Sequence, residues 1–139
     1  MATIRTDYEA VPWAPCTEMF GAAAVYDGTP IIEAKTLADR RQEGGGISYL
    51  LRFSPPPGKL IKVVAVARSD EHIFNLSGGR VTKAGQPVAA AGGYSINPAG
   101  QPHSAMIAAE TTALVIYTGE PDEVKSVEVL DIAAAEAAA

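Results

Sequence analysis

Two histidines, His72 and His103, and one cysteine, Cys16, are the side chains of this 139-residue chain whose chemistry is most responsive near neutral pH. His103 closes the run Gly92-Gly93-Tyr94-Ser95-Ile96-Asn97-Pro98-Ala99-Gly100-Gln101-Pro102-His103. The run reads as a turn glycine, a short strand, a proline that ends it, a second glycine turn, and an imidazole delivered onto the next strand. An imidazole placed in this way suits acid–base work or metal ligation. His72 directly follows Glu71, and adjacent strand residues point to opposite faces, so only one of the two can enter a shared interior. His72 is expected at a surface or interface. Cys16 has no obvious neighbouring cation to favour a thiolate and is expected to be a small buried thiol.

The elements that must hold these residues are short. Thirteen glycines and ten prolines break the chain, and no long amphipathic helical pattern occurs. Strands are predicted over residues 30–34, 47–53, 60–67, 71–77, 86–89, 94–96, 103–108, 112–118 and 125–130, with one helical turn over 37–42. Glycine- and proline-rich turns such as 43–46, 54–58, 77–79 and 119–122 separate them. That spacing predicts an all-β barrel or jelly roll. Residues 1–30 are expected to form an N-terminal arm, 31–131 the domain, and 132–139 an alanine-rich tail. The runs around Val63 and Val115 are apolar on both faces, which points to a layer outside the barrel wall and an expected homodimer.

Composition narrows the function. Sixteen acidic against eleven basic residues leave a formal charge of −5, which argues against nucleic acid or an anionic membrane as partner. No apolar run reaches membrane-spanning length, and the N-terminus lacks the apolar segment of a signal peptide. A lone cysteine precludes an intrachain disulfide, so a cytoplasmic protein is expected. Phosphate loops, dinucleotide fingerprints, nucleophile elbows and paired CxxC motifs are absent from the sequence.

The run ending in His103 fits G-x5-P-x-G-x2-H, and the chain resembles the cupin family over roughly residues 44–117. The family's other motif, G-x5-H-x-H-x3,4-E-x6-G, survives as Gly58, Glu71 and Gly78. Counting from Gly58 puts Val64 and Val66 where the two histidines would stand. The resemblance implies a double-stranded β-helix whose interior would hold Glu71 and His103 face to face. With two of the family's four metal ligands replaced, no metal cofactor is expected, although Glu71 and His103 remain as residual ligand candidates.

By strand alternation Lys62 would share the interior face of Val64 and Val66. Three readings follow from the resemblance. The leading one is a metal-independent enzyme of lyase, isomerase or cyclase type acting on a small organic molecule. His103, Glu71 and Lys62 would be its catalytic groups, with Val64, Val66, Arg52, Tyr94 and Tyr117 around the substrate. The alternatives are a non-catalytic small-molecule-binding or sensory domain, and a metal-dependent oxygenase using non-standard ligands. Trp13, between Pro12 and Pro15, is expected as a hydrophobic plug or dimer anchor.

Overall fold

Turn residues spaced between short apolar runs give eleven strands in the computed structural model, which describes residues 2–81 and 90–132. In chain order they begin with β1 (Ala14–Pro15), the helical turn α1 (Thr17–Phe20), a 3-10 turn (Gly21–Ala24), and the hairpin of β2 (Val25–Tyr26) and β3 (Thr29–Pro30). Then come β4 (Ile32–Asp39), a 3-10 turn (Arg41–Glu43), β5 (Ile47–Phe53), β6 (Lys59–Val66) and β7 (Glu71–Ser77). The chain continues through β8 (Tyr94–Asn97), β9 (Pro102–Ile107), β10 (Thr111–Tyr117) and β11 (Glu123–Asp131). The strands form two main antiparallel sheets, of order β1-β4-β5-β10-β7-β8 and β11-β6-β9. This is the predicted all-β, jelly-roll class.

The sheets bury one side of each central strand. Ile47, Tyr49 and Leu51 of β5 alternate inward, as do Ile61, Val63 and Ala65 of β6 and Ala113, Val115 and Tyr117 of β10. Each large aliphatic side chain so buried contributes about 1.5–3 kcal/mol. Gly46, just before β5, is required by close approach: a Cβ there would overlap the carbonyl oxygen of Tyr117. The backbone of β10 can therefore lie against the start of β5 only without a side chain at 46.

The predicted helical turn at 37–42 is corrected. Residues through Asp39 belong to β4, which pairs with β5 from Ile32↔Phe53 to Asp39↔Ile47, and the only turn there is the 3-10 segment Arg41–Glu43. Cross-strand pairing outweighed the weak local helical pattern. The predicted strand at 86–89 and the alanine tail beyond Ile132 lie outside the described residues. Cys16 is buried, and burial raises its thiol to about 11. Trp13 packs within the chain: the Lys35 ammonium lies 5.0 Å and the Arg52 guanidinium 4.3 Å from its ring centroid. No helix among the described residues is long and apolar enough to cross a membrane.

Candidate functional site

Between the sheets lies a cavity of about 370 Å³. One polar cluster enters it, and strand register explains how. Tyr117 of β10 pairs with Glu71 of β7, and Glu71 pairs with Asn97 of β8, so the three side chains form one row across three strands. Tyr117 donates its hydroxyl to Glu71 Oε2 at 2.8 Å, and Asn97 Nδ2 donates to Glu71 Oε1 at 2.8 Å. From the facing sheet, His103 of β9 stands opposite Ala65 of β6. Its Nε2 lies 3.5 Å from Glu71 Oε1 and 2.8 Å from Asp122 Oδ2. The Asp122 contact is close but poorly aligned for a directed hydrogen bond, and it becomes an ion pair when His103 is protonated.

Asp122 sits in the turn between β10 and β11, which several contacts fix. Ser69 donates Oγ to the carbonyl of Glu120 at 2.8 Å, Arg68 donates Nε to the carbonyl of Pro121 at 2.7 Å, and Arg41 pairs with the Glu120 carboxylate at 3.3 Å. Glu71 and Asp122 are only 4% and 5% exposed, which makes two buried carboxylates beside one imidazole. Burial, and then the Asp122 charge, push Glu71 above its ordinary carboxyl value, while Asn97 and Tyr117 pull the other way. Asp122 raises the proton affinity of His103 against the opposing effects of burial and Arg80. Burial, and next the Glu71 charge, raise the Tyr117 hydroxyl well above its usual range. Glu71, His103 and Tyr117 therefore each hold a proton to higher pH than they ordinarily would.

The structure brings together Glu71, His103 and Tyr117, and it reverses the expected facing of β6. Val63 and Ala65 line the cavity, whereas Lys62, Val64 and Val66 lie on the other face. The frame counted from Gly58 is one residue out of phase with the strand, and a one-residue slip exchanges the faces. Lys62 consequently has no place in the cavity. Arg52 is also outside: it pairs with Glu33 at 2.9 Å and covers Trp13, while its neighbours Leu51 and Phe53 face inward. Tyr94 stands at the cavity rim, 53% exposed, with its hydroxyl 2.7 Å from His72 Nδ1. His72 points away from Glu71, as alternation requires.

Asp122, Asn97 and Arg80 escaped the sequence reading. Asp122 looked like an ordinary turn aspartate after Gly119-Glu120-Pro121, and turn chemistry alone accounts for that residue type. Asn97 could have been found from parity with Ser95 within the β8 run. With Asp122 the count of surviving ligand candidates becomes three rather than two. Donor atoms of Glu71, His103 and Asp122 all lie within 4.8 Å of one another, and Asp122 Oδ1 is buried without a hydrogen-bond partner. An imidazole and two carboxylates fit a divalent iron, manganese or zinc ion in character and in number.

No family model matches the chain, and no match was found among curated proteins. Solved structures do match it. A putative acetylacetone dioxygenase from Methylibium petroleiphilum PM1 aligns over 100% of this chain and 96% of its own, at 17% identity and a TM-score of 0.60. An acetylacetone dioxygenase from Acinetobacter johnsonii aligns over 99% and 92%, at 14% identity and a TM-score of 0.58. An RmlC-like cupin protein from Ralstonia eutropha JMP134 aligns over 94% and 83%, at 17% identity and a TM-score of 0.56. Likeness at such identities concerns architecture, and with the two facing sheets and the interior cluster it establishes that this chain has the cupin fold.

Proposed function

We propose that the chain is an enzyme that moves a proton on a small, largely apolar organic molecule, with lyase, isomerase or cyclase chemistry and no need of a metal. The observation carrying this reading is the convergence of His103, Asp122 and Glu71, from the two facing sheets and the turn before β11, in an otherwise mainly apolar cavity. His103, favoured in its protonated form by Asp122, is the acid that donates a proton to a substrate oxygen as charge develops there. Asp122, beside His103 in the cavity wall, accepts the proton from the adjacent carbon. Glu71 is oriented by Tyr117 and Asn97 and tunes the pair through its own charge. Val63, Ala65 and Val115 keep water from the reacting centre.

The test is carbon–hydrogen exchange in heavy water over a panel of small ketones and oxo acids, followed by proton NMR. Wild type should exchange at least one panel member, and His103→Ala should lose about 100-fold or more of that rate. Exchange that survives His103→Ala, or no exchange on the panel, contradicts the reading. A second reading is favoured by the three clustered donors and by the names of the dioxygenases of like fold. Glu71, His103 and Asp122 would hold a divalent ion, which would supply Lewis-acid polarisation of a substrate oxygen. Near-stoichiometric metal in untagged protein would favour it.

We further propose that the expected homodimer forms through the outer face of β7, β8 and β10. Phe74, Leu76, Tyr94, Ile96 and Ile116 are exposed together there. A monomer in sedimentation at micromolar concentration would count against it.

A further inference from the structure

One charged side chain in the cavity wall takes no part in the cluster: Arg80. The backbone on either side of it is pinned. Gly79 N–H donates to Thr111 Oγ1 at 3.1 Å, and Val81 N–H donates to the Met106 carbonyl at 2.9 Å. From this fixed base the Arg80 side chain lines the cavity, with Nη2 3.5 Å from Ser95 Oγ, at the outer limit of a hydrogen bond. Among the described residues no carboxylate forms an ion pair with Arg80, whereas Arg41 has three such partners and Arg52 one. A half-buried guanidinium carries five donors in a planar fork that matches a carboxylate in two-point contact.

The remaining surroundings define the rest of the ligand. Leu51, Phe53, Ile73, Ala113 and Val115 present apolar surface, so the lining has an apolar body beside the Arg80 guanidinium and the His103 cluster. At about 370 Å³ it falls at the small end of ligand pockets. Glu71 and Asp122 both lie against His103 and neither pairs with Arg80, so Arg80 is the cation that an incoming anion can meet without displacing a carboxylate. A neutral ligand would leave its donors short of strong acceptors in a partly desolvated site.

Building on the cavity as a substrate site, we propose that Arg80, with Ser95 beside it, anchors the carboxylate of the substrate. The substrate class is then a small organic monocarboxylate with an apolar body, whose reacting carbon is presented to His103 and Asp122.

Calorimetric binding of matched pairs tests this: phenylacetate against phenylacetamide, benzoate against benzamide, and isovalerate against isovaleramide. At least one acid should bind tenfold or more tighter than its amide, the scale of a charge-assisted contact of about 1.5–3 kcal/mol. Arg80→Gln should reduce that preference to under about threefold, Arg80→Lys should restore part of it, and Lys125→Gln, at an exposed surface ion pair, should leave it unchanged. Circular dichroism and melting confirm that each variant is folded. Equal binding of acid and amide, a preference that survives Arg80→Gln, or no acid bound at millimolar concentration overturns the inference. The measurement needs no turnover. Arg80-dependent preference without His103-dependent exchange refutes the proton-transfer reading alone, and the converse refutes only the anchor.

Discussion

Replacing Glu71 with Gln should stabilise the protein at high pH, although Glu71 is 4% exposed and hydrogen-bonded at both oxygens. The amide keeps the shape. Its oxygen can accept from Asn97, and its NH2 can donate to a Tyr117 hydroxyl that turns to accept. What disappears is a charge buried beside Asp122. The folded-state value of Glu71 lies above its ordinary 4.5, because burial and Asp122 both disfavour the anion. Folding therefore holds a proton that the unfolded chain releases, and this group's contribution to stability declines as pH rises from about 4.5 through the folded value. His103, raised above 6.5, adds a decline of the same sign in a higher window. In Glu71→Gln the first decline is absent. Neutralising one member of a buried charge cluster while keeping its hydrogen bonds should yield about 1–2 kcal/mol at pH 8. For a chain of this size that is roughly 3–7 °C in Tm. At pH 4 the difference should fall within about 0.5 kcal/mol. Calorimetric melting from pH 4 to 8 reads both quantities. A Tm for Glu71→Gln that is lowered by several degrees at pH 8, or a difference that does not vary with pH, would refute the reasoning. Either result would make ionised Glu71 a net stabiliser.

Tyr117→Phe keeps the edge-on ring contact with Tyr49 but removes a donor to Glu71, and should cost about 1.5–3 kcal/mol by urea denaturation at pH 8, less at pH 5 where Glu71 holds its proton more fully. Gly46→Ala should cost more than about 3 kcal/mol or abolish soluble folding, because the new Cβ meets the backbone of β10. Asn97→Ala should raise the Glu71 proton affinity further by deleting a donor to its carboxylate, which carbonyl-carbon NMR of the labelled side chain would show.

Much of the fold was legible because its signals are local. The turn clusters delimit strands, so β5 and β7 were predicted to the residue, and the Gly92–His103 run placed β8 and β9 nearly as well. Facing was harder. Parity in β6 was inherited from a motif frame anchored at Gly58, and a slip of one residue moved Val64, Val66 and Lys62 out of the cavity in favour of Val63 and Ala65. Glu71 and His103 were found because their spacing is patterned. Asp122 and Arg80 reach the cavity from turns whose sequences have ordinary local explanations, and only tertiary pairing brings them in. A side chain delivered by a long-range contact leaves no periodic trace.

Proton transfer at this site needs His103 to carry a proton beside Asp122, and the ring nitrogens can be followed directly by NMR against pH in wild type and in Asp122→Asn. In wild type both nitrogens should report an imidazole titrating above 6.5, and in Asp122→Asn the midpoint should move down. A ring that titrates below 6.5, or an Nε2 that never gains a proton and carries the shift of a metal-bound nitrogen, would contradict the proton-transfer site.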